Sequence, residues 1–174
     1  MPTEYERLRA CMSEKYQVYS DVLLMTGLRP IEFWRMDKSW YRAARRCLEL
    51  PVGACLKQKC QWTQRTVLLS LPACDAVETY LNCTGVERLN ENSMRDAYRR
   101  YAIKAGLSTT GITTKMFRKT WVSWLVACYP EQSLNIAASM GHSIEVMRTN
   151  YLGLSFPRGE IVKMREKYLD GWVR

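Results

Sequence analysis

Histidine is almost missing from this chain: His142 is the only one among 174 residues. Seven cysteines are present, but no two form a C-x-x-C pair, so the usual ligand spacing of a zinc site is lacking. An odd, scattered set of cysteines reads as small core side chains, with a disulfide left open for a hyperthermophilic source. No apolar run approaches the roughly 18 residues that a membrane helix needs. The opening Met-Pro-Thr-Glu-Tyr-Glu lacks the basic-then-apolar order of a signal peptide. An intracellular location is the expectation. Internal repeats, low-complexity tracts and linkers are absent too, so the length predicts one domain with a substantial core.

What the chain does hold is positive charge. Lys and Arg number 26 against 17 Asp and Glu, a net +9, while 47% of residues are hydrophobic. Such a surplus suits a polyanionic partner, with nucleic acid first. A basic protein without such a partner is common enough that charge alone decides nothing.

The pattern along the chain is mostly helical. Thr3 and Glu6 read as a capping box opening a first helix, and a second helix covers 18–26 and stops at Gly27. Pro30 fits a first helical position, which puts Arg29 in a tight helix–helix turn; taken alone, Arg29 is a surface arginine beside a cap. Between about 46 and 71 the pattern turns short and β-rich. Three antiparallel strands are expected there, over 47–50, 54–59 and 65–71, with Lys57 and Lys59 on one face of a hairpin. Further helices are expected over 72–82, 92–104 (strongly basic) and 113–127, the last with Lys115 and Arg118 three apart on one face. A short helix over 131–140 should end at Gly141, which tolerates the left-handed C′ position. Ser143 then reads as the N-cap of a new helix. That leaves His142 at a helix junction and Tyr151 nine residues further on. After Pro157 an amphipathic helix should carry Ile161, Met164, Tyr168 and Trp172 on one side. Its apolar face could pack on its own domain or dock on a neighbouring protomer.

Four of these stretches together resemble the active site of the tyrosine recombinases, the phage-integrase family. Thr26-Gly27-Leu28-Arg29-Pro30-Ile31-Glu32 resembles the first motif, in which Glu32 would buttress the arginine. Lys115-Met116-Phe117-Arg118-Lys119-Thr120 resembles the second, usually His-x-x-Arg-His-Thr. Met140-Gly141-His142-Ser143 resembles the third, and Tyr151 stands at the family's spacing from it. Each motif is weak alone; their order and spacing over 26–151 are what carry the likeness. Lys115 in place of histidine is similar to integrases of archaeal viruses of the fusellovirus type, and to type IB topoisomerases.

The resemblance implies an α+β fold, mainly α-helical with a small three-stranded antiparallel sheet. It also implies a single catalytic domain over 1–174, the family's amino-terminal DNA-binding domain being absent. The implied activity is site-specific recombination through a 3′-phosphotyrosyl intermediate, integrating or excising viral or plasmid DNA. The chemistry suits the residues. A tyrosine can be the nucleophile and store the bond energy as an ester. Two guanidiniums can clamp the non-bridging oxygens bidentately and offset the growing negative charge of the transition state. A lysine of lowered pKa can protonate the leaving 5′ oxygen. Tyr151 would be the nucleophile, Arg29 and Arg118 the clamp, and Lys59 (preferred over Lys57) the general acid. His142 and Lys115 would hydrogen-bond the phosphate and assist proton transfer. The partners implied are double-stranded DNA attachment sites, with four protomers assembling on DNA and weak or no association without it. No metal or other cofactor is called for. Two alternatives are a type IB-like topoisomerase and a DNA-binding module without catalysis, in which the basic helix over 93–104 tracks phosphates.

Overall fold

From Val22 to Leu28 every residue is buried, and the architecture is built round that run. The structure, a computed structural model, describes residues 1–54, 64–83, 91–151 and 155–173. Helix α1 (Pro2–Ala10) leads to α2 (Glu14–Thr26), which holds Tyr19, Val22, Leu23, Leu24 and Met25 in the core. The last turns of α2, buried on every side, lie at the centre of the domain. Gly27 stops it in the left-handed region at φ 60°. A Cβ there would stand 2.8 Å from Met140 Sδ and 2.9 Å from Trp121, so this turn requires glycine twice over. Thr26 secures the same turn, its Oγ1 donating to Val22 O at 2.6 Å and accepting from the Leu28 N–H at 3.2 Å.

Helix α3 (Pro30–Arg35) follows at once, with Pro30 in its first turn. The sheet comes next, with strands β1 (Tyr41–Arg42), β2 (Cys47–Leu50) and β3 (Arg65–Leu68) in the order β1-β2-β3. All pairings are antiparallel, with Tyr41 opposite Leu48 and Leu50 opposite Arg65. The class expected from sequence is thus observed, a mainly helical chain with one small antiparallel sheet. Its first strand is a two-residue one that the periodicity did not reveal. The expected strand over 54–59 lies, apart from Ala54, outside the described residues, and so do Lys57 and Lys59.

The rest is helical: α4 (Leu71–Asn82), α5 (Glu91–Lys104), α6 (Met116–Cys128), α7 (Ser133–Met140), α8 (Ile144–Tyr151) and α9 (Arg158–Lys163). Helix α6 supplies the largest core side chains, Trp121 and Trp124, both essentially fully buried. Helix α1 begins at Pro2 rather than at the Thr3 capping box. Glu4 there bonds the terminal amine at 2.6 Å, while Thr3 reaches across to the Glu160 carboxylate. In the single chain the apolar face of the tail packs on its own domain. α9 continues through a π-helical turn (Met164–Tyr168), and Met164, Tyr168 and Trp172 are buried in the chain's own core. Ser70 Oγ donates to Tyr168 O at 2.6 Å and the Leu71 N–H to Asp170 O at 2.8 Å, fastening the tail to the start of α4.

Candidate active site

Two tight helix junctions, 27–29 and 141–143, meet at one place and bring their polar groups together. At the first, Arg29 is the N-cap of α3 in extended backbone geometry (φ −70°, ψ 151°). Its N–H donates to Glu32 Oε2 and its Nη1 to Glu32 Oε1, each at 2.8 Å. Glu32 is 1% exposed and also receives Arg65 Nη2 on Oε2 at 2.7 Å. Burial opposes the charged carboxylate, but Arg65, then the backbone N–H and charge of Arg29, outweigh it and hold Glu32 below its ordinary pKa. Glu32 is therefore an anion wedged between two guanidiniums.

At the second junction Gly141 takes the left-handed C-cap of α7 (φ 62°, ψ 45°). Ser143 caps α8, its Oγ accepting from the Val146 N–H at 3.3 Å. Both junction features match the sequence reading. The Met140 carbonyl freed by this turn receives Arg65 Nη1 at 2.8 Å and also Arg118 Nη2.

Arg118, on the first turn of α6, is 8% exposed. Its Nη1 donates to Gly27 O at 2.7 Å and its Nη2 to His142 Nε2 at 2.9 Å. A guanidinium only donates, so Nε2 is the acceptor and the imidazole proton sits on Nδ1, which is buried without a partner. Burial, then the charges of Arg29 and Arg65, bring Arg118 down to about 9, still cationic at neutral pH. Burial, followed by Arg118, Arg29 and Arg65, brings His142 down to about 4. The histidine is neutral under ordinary conditions.

Tyr151 closes the cluster from the end of α8. It is 8% exposed, and its ring stacks on the His142 imidazole with centroids 6.0 Å apart and planes 10° apart. Burial raises its phenol above the ordinary value, and Arg118 pulls it partly back.

Of the residues singled out from sequence, Arg29, Arg118, His142 and Tyr151 thus share one site, with Glu32 behind the first arginine. Lys115 does not join its hydrogen bonds; it is exposed at the N-cap of α6, three residues before Arg118. Lys59, like Lys57, lies outside the described residues. Arg65 was missed, since a polar residue opening a short strand looks like any edge position. Three guanidiniums against one carboxylate leave net positive charge here, which suits an oxyanion such as a phosphodiester. Among the described residues no group of three or more His, Cys, Asp or Glu could hold a metal. Among the described residues no helix is long and apolar enough to cross a membrane either.

The fold has solved counterparts. The chain is similar to the crystal structure of XerA recombinase (TM-score 0.65, 18% identity, covering 95% of this chain and 62% of that one). It is also similar to XerH site-specific recombinase bound to difH substrate in a pre-cleavage complex (TM-score 0.59, 15% identity, 95% and 53%). A post-cleavage complex of XerH with palindromic difH substrate matches with TM-score 0.59 and 15% identity over 91% and 49%. The chain therefore has the fold of tyrosine recombinase catalytic domains, and spans 62% or less of the length of these structures. No family model matches it, and neither does any curated protein.

Proposed function

We propose that this chain is the catalytic domain of a tyrosine site-specific recombinase, acting on double-stranded DNA inside the cell. The observation that carries this reading is the convergence of Arg29, Arg118, His142 and Tyr151 from separate segments onto one cationic site. It draws support from a fold shared with recombinases, two of whose structures hold their DNA substrate.

Arg29 and Arg118 grip the non-bridging oxygens of the scissile phosphate, and their charge stabilises the more negative transition state. Tyr151 Oη attacks phosphorus, the 5′ oxygen leaves, and the 3′ end stays on the enzyme as a phosphotyrosyl ester. His142, neutral and protonated on Nδ1, has the lone pair of Nε2 turned to Arg118. It orients that arginine and can donate Nδ1–H to the phosphate, while the Tyr151 phenol proton passes to a non-bridging phosphate oxygen as Oη attacks. Lys59 protonates the leaving oxygen, and Lys115, exposed beside Arg118, contacts phosphate. Religation reverses these steps without metal or nucleotide. Four protomers pair two attachment sites, integrating or excising viral or plasmid DNA in the manner of the fusellovirus-type integrases.

Covalent trapping tests the proposal. Wild type and Tyr151→Phe are incubated without divalent metal with nicked duplexes that shed a short strand on cleavage, from a pool of candidate sites. A denaturation-resistant adduct with wild type alone is the expected result. An adduct in both moves the nucleophile elsewhere. Binding without any adduct favours a non-catalytic DNA-binding module, and relaxation of supercoiled DNA without strand exchange favours a type IB-like topoisomerase.

A further inference from the structure

Arg65 has no part in the chemistry just proposed, yet it is costly to keep. It opens β3 opposite Leu50, its side chain only 11% exposed. Its Nε is buried without a hydrogen-bond partner, a penalty the fold must offset elsewhere. A buried guanidinium seldom outperforms an apolar side chain for stability alone. What Arg65 gains is reach. Nη2 holds Glu32 Oε2 at 2.7 Å and Nη1 holds Met140 O at 2.8 Å, joining the two junctions that carry Arg29 and His142. Gly141 makes room for it, since a Cβ there would come within 2.9 Å of Nη1.

We propose that Arg65 is a positioning residue, a two-armed brace that fixes the Arg29–Glu32 unit relative to the Met140–His142 junction from the base of β3. The inference rests on the recombinase reading of the site. Without the Glu32 arm, the carboxylate keeps only Arg29 and draws it inward, away from an incoming phosphate. Without the Met140 arm, that carbonyl keeps only Arg118, and the turn presenting His142 loosens. A lysine would preserve the charge, but its compact ammonium lacks the planar fork that serves both acceptors at once. Among the described residues, the charged and titratable groups that act on His142 include Arg118 from α6, Arg29 from the turn before α3, Glu32 from α3, Arg65 from β3 and Tyr151 from α8. Arg65 is the member of this set that can be changed without touching a proposed reacting group.

The test compares wild type, Arg65→Gln and Arg65→Lys, with folded fractions checked by thermal melting. One readout is single-turnover cleavage of nicked duplexes at saturating protein. The other is the NMR titration of the imidazole, unambiguous because the chain has one histidine. For Arg65→Gln the expected result is a loss of about 100-fold in cleavage rate with DNA affinity changed less than about threefold, as for a misplaced catalytic group. The His142 midpoint should move up in Arg65→Gln and stay near wild type in Arg65→Lys, which should cleave at an intermediate rate. An unchanged rate overturns the inference, and so does a loss explained wholly by affinity or unfolding. If Arg65→Gln does not fold, Arg65→Lys decides: wild-type cleavage would make charge alone sufficient and overturn the brace. If wild type forms no adduct, it is the recombinase reading that fails. The brace is then judged on the resonance of the neutral imidazole in Arg65→Lys, where the charge is kept: a resonance unmoved from wild type overturns it, and a displaced one upholds it.

Discussion

The His142 imidazole lies parallel to the Tyr151 phenol, ring centroids 6.0 Å apart and planes 10° apart. The proposed nucleophile is thus held by the flat face of its neighbour and by burial, while its hydroxyl is left to the chemistry. Replacing Tyr151 by Phe keeps the ring and should alter stability by less than about 1 kcal/mol, while removing any covalent adduct. Tyr151→Ala removes the ring as well and should cost roughly 3 kcal/mol, in the range of large-to-small changes at aromatic core sites. Urea denaturation of the two variants separates the roles. A Phe variant as unstable as the Ala variant would mean that the hydroxyl holds the site together.

His142 should show its burial as a pH dependence of stability. Its folded pKa, about 4, lies below the ordinary 6.5, so between those values the unfolded chain binds a proton that the folded chain refuses. The linkage therefore favours folding fully above about pH 6.5 and loses that contribution as pH falls towards 4. Below that, the lowered carboxyl of Glu32 takes over, since its contribution disappears as the pH falls through its folded value. The melting temperature of wild type should fall from pH 6.5 to pH 4 more steeply than that of His142→Gln. Parallel curves would show that the imidazole is not held neutral. Nitrogen shifts of this single imidazole should also report the proton on Nδ1.

Glu32 is the only carboxylate bonded to Arg29 and Arg65 among the described contacts. Taking away its charge removes the anion that Arg29 and Arg65 share, and the repulsion among the three guanidiniums grows. Glu32→Gln should therefore destabilise the fold by about 3 kcal/mol, as expected on breaking a buried ion pair by removing one partner. Cleavage should fall too, since Arg29 loses the carboxylate that aims it. Denaturant midpoints measured alongside single-turnover rates would check both. A Gln variant of wild-type stability would imply that the site rearranges or binds a solution anion in compensation.

The features legible from sequence were those whose signal is local. Gly27 and Gly141 mark helix ends because left-handed backbone is nearly reserved for glycine, and Ser143 caps the helix that carries Tyr151. Those punctuation marks sufficed to locate Arg29, His142 and Tyr151 on the junctions they occupy. What escaped was short or long-range. Two residues, Tyr41 and Arg42, are too few to display the alternation of a strand. The helix that the Thr3 capping pattern was expected to open starts at Pro2 instead, and Thr3 bonds Glu160, distant in sequence. Arg65 could not be recognised because its partners, Glu32 and the Met140 carbonyl, come from segments 33 and 75 residues away. Lys115 was expected inside a helix starting at 113, but α6 starts at Met116 with Lys115 as its N-cap, and the spacing to Arg118 did not predict that one side chain would be buried and the other exposed.

Gly141 offers a way to perturb the junction without removing any charged group. Its φ of 62° strains any residue with a Cβ, and that Cβ would also meet Arg65 Nη1 at 2.9 Å and Cδ at 3.1 Å. Gly111 provides the control, since its φ is 76° but nothing lies within 4 Å of its would-be Cβ. Gly111→Ala should cost only the backbone penalty, about 1–2 kcal/mol. Gly141→Ala adds displacement of the guanidinium and should cost roughly 1 kcal/mol more, in the range of overpacking. It should also shift the His142 resonance, whereas Gly111→Ala should not. Equal costs for the two variants, with His142 undisturbed, would mean that Arg65 yields without consequence and that the two junctions are less firmly joined than their hydrogen bonds indicate.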